Sequence, residues 1–464
     1  MRQAAVRSSP GSAWKAPTRA ALAAVLAFSV VQPVAPAHAE SRISVVRDAE
    51  TEALLADYLR PIVKVAGISM PKLALVNSPA FNAFVAPDRR MFVNTGTIIS
   101  SNTPNELIGV LAHETGHIAH NDIARMQQVI ADTKAAMLLA TLAGVGVGLG
   151  GAALGAGDAS SAGAGIISGS TSIAERSLLR YKREVEASAD RAGMEYLNKT
   201  QQSPAGMLRV LERLADEGLL NAAHANPYLQ SHPLPRERIA TLQQLINASP
   251  YANKKDSASL QARHDLVRAK LVGFTMPALQ VNRVFPISDR SLPAQYARAI
   301  ATYRSGRALD ALGQIDGLIK AAPKYPYFWE LKGQALLETG RPREALDPLR
   351  KAVALAPNAN LIKVLLGQAL VAAGGRSNAD QAVKLLAAAV ATYPDLPGGY
   401  HALARAYAMQ DNVPMAQLAT AQGLFVDGNV KEAQIQAIRA QAKLKKGSPA
   451  WLRADDIVSY KPKK

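Results

Sequence analysis

Residues 113–117 read His-Glu-Thr-Gly-His, and two imidazoles four positions apart meet at one point only where the backbone between them is helical. The pattern therefore demands a helix over Asn105–His120 (NELIGVLAHETGHIAH), for which Leu107, Val110, Leu111 and Ile118 supply apolar positions. His113 and His117, on adjoining turns, are two ligands of a candidate metal site. Glu114 is the candidate general base, because its carboxylate can face the open side of the ion and take a proton from water there. With eight histidines in 464 residues, this spacing arises by chance with a probability below about 1%. The competing reading is a pair of helix-surface histidines beside an acid. His120, three positions past His117, reaches the same ion poorly and is expected behind a ligand or at the surface.

A catalytic zinc takes three protein ligands and leaves the fourth place to water. The chain has no cysteine, so every ligand must be His, Asp or Glu. The metzincin extension is closed, because His120 and Ile123 stand where its Gly and third His belong. An acid from another helix remains. In Tyr181–Leu197 (YKREVEASADRAGMEYL), Glu186 and Asp190 lie at i and i+4 on one face, with Ala189 and Gly193 small enough for close helix approach. Glu186 is the expected third ligand of one Zn²⁺ per chain, with Glu184 as its competitor. Asp190 is expected to accept a hydrogen bond from the distal N–H of a ligand imidazole, which would fix that ring's tautomer. An ordinary solvated helix is the alternative.

The first 39 residues place Arg2, Arg7, Lys15 and Arg19 before an apolar run, Ala20–Val31, and Ala37-His38-Ala39 before Glu40. These are the three regions of a secretory signal, cleaved after Ala39. An uncleaved anchor is the alternative, but this run at ~1.5 Å per residue spans only about 18 Å against a bilayer core of roughly 30 Å. The expected location is the periplasm. Losing the signal lowers the formal charge from +17 to +13. That excess amounts to solvated basic faces or to attraction by an anionic membrane surface, a peripheral contact. Aromatic residues, at 5%, are too sparse for base stacking, and nucleic acid is not an expected partner.

The rest of the chain reads as mainly helical. A helix is expected over 44–65, kinked or ended by Pro61, followed by short strands at Leu73–Val76, Ala83–Val85 and Met91–Val93 with a hairpin turn at 87–90. Helical pattern resumes from Pro104 to about Ser249. Residues 135–156 are apolar and glycine-rich, but a single membrane crossing there would separate His113 and His117 from Glu186. A mobile helix and glycine-rich loop, covering the site or touching a membrane or partner, is expected instead. Periodicity lapses at 281–291, a linker. Beyond it Pro323 and Pro357 are 34 residues apart and Pro394 follows after 37, a three-residue insertion near Gly375. Trp329, Gly333, Ala345, Leu349, Ala352 and Pro357 occupy tetratricopeptide positions, and Gly367, Ala382, Leu386, Ala389 and Pro394 repeat most of them. Stacked helical hairpins of this kind bury a core that no single hairpin could.

His113-Glu114-Thr115-Gly116-His117 followed by Glu186-Ala187-Ser188-Ala189-Asp190 resembles the HtpX-like and CaaX-prenyl-endopeptidase clan of zinc metallopeptidases. The signal in front and the repeats behind are similar to its BepA-like periplasmic members. That resemblance implies Glu186 as third ligand, and it brings in His232. Ser231-His232-Pro233 through Arg238-Ile239 is similar to an element whose His lies near the active site, either completing the zinc shell in a closed state or meeting the oxyanion in an open one. A capping loop tied down by Arg238 is the plainer reading. His224 is left at the surface. The hairpin of residues 81–94 resembles the family strands beside the cleft, where an extended peptide could add.

The expected fold is a helical HExxH metallopeptidase domain with a small β hairpin or sheet (40–280), the linker (281–291) and an α-solenoid of tetratricopeptide repeats (292–464). The expected function is that of a zinc metalloendopeptidase degrading misfolded or stalled envelope proteins, outer-membrane proteins among them. Its repeats would dock clients or assembly machinery. The alternative is a chaperone or scaffold for outer-membrane protein assembly with latent proteolysis.

Overall fold

The computed structural model describes residues 44–153, 159–220, 227–233 and 236–461. The expected signal peptide and His224 lie outside them.

The described residues begin with a strand where the sequence predicts helix. β1 (Val45–Val46) pairs antiparallel with β2 (Leu73–Val76), and α1 (Ala49–Val65) starts only after Asp48, whose side chain accepts a hydrogen bond from the Thr51 backbone N–H at 2.7 Å. Pro61 does not end α1. It costs one intrahelical hydrogen bond, and the helix continues to Val65 with Leu54, Leu55, Tyr58, Leu59 and Ile62 buried along one side.

β3 (Ala83–Val85) and β4 (Met91–Asn94) form the expected hairpin, closed by Arg89 in a left-handed conformation and a hydrogen bond from Ala86 N to Arg90 O of 2.9 Å. The sheet order is β1-β2-β4-β3, with β2 and β4 parallel, so β3 is an edge strand. The sheet packs on α3 (Pro104–His120), which follows α2 (Thr95–Ser100) and is buried from Pro104 to Ile118. The motif helix is thus the centre of the core. It ends at Asn121, whose left-handed φ of 56° turns the chain sharply into the next helix.

Residues 135–172 correct an expectation. Where a mobile helix and a glycine-rich loop are expected, the described residues 135–153 and 159–172 are all helix: α4 (Asp122–Ala153) and α5 (Ala159–Lys199) pack against each other as a long antiparallel pair. Glycine and serine clusters ordinarily mark loops, but here a partner helix alongside overrides local propensity. Past its first turns α4 packs chiefly on α5. The distal end of α5 enters the core, where it crosses α3 so closely that a Cβ on Gly193 would stand 3.3 Å from the His113 backbone nitrogen. Small residues at 189 and 193 allow that crossing, as the sequence predicts.

α6 (Ala205–Leu220), α7 (Pro227–Ser231) and α8 (Arg236–Asn247) close the other side of α3, with Met207, Leu211, Tyr228 and Leu242 in one apolar cluster. α9 (Ala258–Thr275) leads to α10 (Ala278–Val284), so helix runs into the predicted linker, where Val281 is fully buried against Ala269, Val272 and Ala297.

Five antiparallel helix pairs follow: α11 (Leu292–Arg304) with α12 (Ala308–Ala321), α13 (Pro326–Glu338) with α14 (Pro342–Leu355), α15 (Asn360–Ala373) with α16 (Arg376–Thr392), α17 (Pro397–Ala408) with α18 (Val413–Val426), and α19 (Val430–Gln441) with α20 (Pro449–Val458). The architecture is mainly helical, a small mixed sheet and helical core followed by helical repeats. In two successive repeats the same contact recurs. A Cβ on Gly333 would meet Leu349 Cγ at 2.3 Å, and one on Gly367 would meet Leu386 Cγ at 2.6 Å, so only glycine lets these helices cross. The three-residue insertion lengthens a helix, since α16 has 17 residues where α14 has 14.

A buried lysine ties the amino-terminal helix to the first repeats. Lys270 Nζ lies 2.5 Å from Asp48 and 3.4 Å from both Glu50 and Glu330, while the Tyr296 and Tyr325 hydroxyls donate to Glu50.

Candidate metal centre

Two helices and one connecting segment bring four donors together. His113 and His117 come from α3, Glu186 from α5, and His232 from the residue after α7, and one ligand atom of each lies within 4.8 Å of every other. His113 Nε2 stands 3.1 Å from His117 Nε2 and 3.3 Å from Glu186 Oε2. His232 Nδ1 is 3.1 Å from both Glu186 oxygens and 3.4 Å from His113 Nε2. All four side chains are buried. Three imidazole nitrogens and one carboxylate oxygen facing a common centre form a donor set suited to a tetrahedral divalent cation.

The groups behind the donors fix their orientation. His113 Nδ1 lies 2.9 Å from Asp190 Oδ1, and His117 Nδ1 lies 2.9 Å from Asp122 Oδ2, which leaves both Nε2 atoms facing the centre. Arg238 binds Asp190 through Nε at 2.5 Å and Nη2 at 2.9 Å, reaches Glu186 Oε2 at 2.9 Å, and donates to the Pro233 carbonyl at 3.1 Å. One guanidinium therefore positions two acids of α5 and the segment carrying His232.

The electrostatics call for a cation at this point. Burial works against a charge on His113, but Asp190 and Glu186 outweigh it and push the imidazole up to about 10. Burial likewise opposes ionisation of Glu186, yet hydrogen bonding to His113 and His232 holds its carboxyl well below the usual range. Without a metal, a proton on His113 meets the demand of the acids; a metal ion would replace it. Glu114 is fully buried beside the donors, with neither carboxylate oxygen hydrogen-bonded, and Oε1 is 3.4 Å from His232 Nε2. Burial, followed by the negative charge of Glu186, pushes Glu114 up to about 8. A buried carboxylate and a His232 Nε2 that make no hydrogen bond, both beside the donors, fit a site built to hold something more than protein.

The remaining candidates lie outside. His120 contacts Ser188 at 3.2 Å away from the centre, and Glu184 is exposed and paired with Arg180. Sequence reasoning missed Asp122. Its only signal was its place just after Asn121, a residue type that tolerates the left-handed turn needed to bring it back under His117. Arg238 was expected merely to tie down a loop, whereas its guanidinium bridges Glu186 and Asp190.

Residues 49–246 match the model of Peptidase family M48. They are an M48 peptidase domain. The match spans all four donors, Glu114, Asp122, Asp190 and Arg238, and the domain is that of a metallopeptidase. Over 390 residues, 82% of this chain and 76% of its relative, the sequence is 26% identical to a beta-barrel assembly-enhancing protease of Yersinia pestis. A shorter stretch of 81 residues, 17% of this chain and 28% of the relative, is 40% identical to Protease HtpX of Shewanella denitrificans. Among solved structures, YrrB, a TPR protein with an unusual peptide-binding site, is matched at 16% identity and a TM-score of 0.29, covering 49% of this chain and 99% of that one. The helix pairs described above follow the M48 domain, and no helix among the described residues is long and apolar enough to cross a membrane.

Proposed function

We propose that this chain is a zinc-dependent metalloendopeptidase, exported to the periplasm by a signal cleaved after Ala39, that degrades misfolded or stalled envelope proteins. The observation that carries this reading is the buried set of His113, His117, Glu186 and His232 with the Glu114 carboxylate, free of hydrogen bonds, beside it. Zn²⁺ held there would polarise a scissile carbonyl and acidify water. Glu114 takes the proton from the attacking water and delivers it to the leaving amine. Asp190 and Asp122 hold the ligand rings in one tautomer, and Arg238 holds Glu186 and Asp190 in place.

The similarity to beta-barrel assembly-enhancing proteases over most of the chain supports outer-membrane proteins as clients, with the repeats docking clients or assembly machinery. β3, as an edge strand, can accept an extended client strand by main-chain pairing.

His232 favours a latent form of this activity, and with it the reading of a chaperone or scaffold that seldom cleaves. As a fourth protein donor it occupies the place a catalytic metal keeps for water. The test is His232→Ala, assayed on an unfolded protein substrate with zinc supplied. Hydrolysis should rise several-fold over wild type and vanish on chelation. A His232→Ala protein that loses activity while keeping its metal would instead make His232 part of the catalytic machinery.

A further inference from the structure

Between Lys134 and Glu175 the only ionisable side chain is Asp158. The two helices carrying this stretch leave the body of the molecule. None of the described side chains of α4 after Asp122, nor of α5 before Glu186, is buried. Along α4, Leu138, Leu142 and Val145 recur at helical spacing with Leu139 beside them, and all four are exposed, Leu139 at 68%. Ile173 on α5 is 67% exposed, and Leu179 is exposed as well. Apolar side chains exposed along a helix belong in a core or in lipid, and none of the described residues buries these.

Charge decides between possible occupants. At the base of the uncharged stretch stand Lys134, Arg176, Lys182 and Arg183, none of them in an ion pair among the described residues, against Asp132 and Glu175. Basic groups flanking exposed leucines match an anionic bilayer surface, whose headgroups meet the cations while its acyl boundary takes the apolar side chains. The hairpin returns to the side it left, because Glu186 on α5 meets His113 and His117 on α3. We propose that the α4–α5 hairpin is a membrane-surface element that seats Leu138, Leu139, Leu142 and Val145 in the interface of an anionic lipid bilayer. This holds whether or not the M48 domain hydrolyses peptides.

The experiment is flotation of the full chain with vesicles of phosphatidylethanolamine and phosphatidylglycerol, and with vesicles of phosphatidylcholine alone. Residues 1–39 are common to every sample, so the comparison of wild type with variant is what counts. Wild type should float with the anionic vesicles, less so as salt is raised. Leu138→Asp combined with Leu142→Asp should lower the bound fraction roughly tenfold. Both sites are exposed, so the unfolding midpoint should not move. Arg176→Glu with Arg183→Glu should weaken binding to anionic vesicles only. Wild type that stays with the soluble fraction, or an aspartate variant that floats as well as wild type, overturns the proposal. So does a concentration-dependent dimer that the aspartates abolish without any vesicle binding, which would assign the patch to a second copy of the chain.

Discussion

Glu114→Gln should abolish peptide hydrolysis, by a factor on the order of 10² to 10⁴ or more, while leaving metal content and fold intact. The substitution keeps the size of the side chain and removes only its capacity to hold a proton. Neither oxygen of Glu114 has a hydrogen-bond partner to lose, and burial already favours the neutral form, with its proton affinity pushed up to about 8. A neutral amide is therefore well tolerated in the ground state, and the loss falls on the proton transfer. Activity is to be compared at saturating zinc on an unfolded substrate, with unfolding midpoints recorded for both proteins. Measurable retention of hydrolysis would remove Glu114 from the role of base. In cells the same variant separates the two readings of function. If client handling continues unaltered, the repeats work as a scaffold and proteolysis is incidental.

Arg238→Ala should destabilise the metal-free protein by about 3–5 kcal/mol, since removing one partner of a buried ion pair leaves the other uncompensated. Here two partners are left. Asp190 loses both of its guanidinium contacts and Glu186 loses the one at 2.9 Å, with all three side chains buried. The released acids also lose the geometry that orients His113, so zinc affinity should fall by roughly 10- to 100-fold. Denaturant midpoints of metal-free wild type and variant test the first claim, and zinc titration tests the second. Adding Asp190→Leu to an Arg238→Met background should recover part of the stability, because both buried charges are then absent. A midpoint unchanged by Arg238→Ala would mean that water compensates the acids and that the cluster is not closed.

The sequence made His113, Glu114 and His117 legible because one helical repeat places chemically distinctive side chains on one face. Glu186 was legible for the same reason, as one of two acids a turn apart beside residues small enough to allow a close crossing. His232 carried no such signal from spacing, and only the resemblance singled it out. Asp122 and Arg238 escaped because what matters in them is a partner across the fold, Asp122 with His117 through a left-handed turn and Arg238 with acids 48 and more positions away. The repeats were legible from their 34-residue period, and the insertion that broke it is simply three more residues of helix in α16. The glycine-rich part of the α4–α5 hairpin was expected as loop and its described residues are helix, because local composition is blind to a neighbouring helix. β1 failed because two residues carry no period at all.

Metal content per chain, compared between wild type and Glu186→Ala by plasma mass spectrometry, tests the central claim that these donors form one zinc site. Wild type should carry about one zinc, and Glu186→Ala less than roughly one-tenth of that after dialysis, since the only carboxylate among the four donors is gone. Equal zinc in the two proteins, or none in wild type, would contradict it.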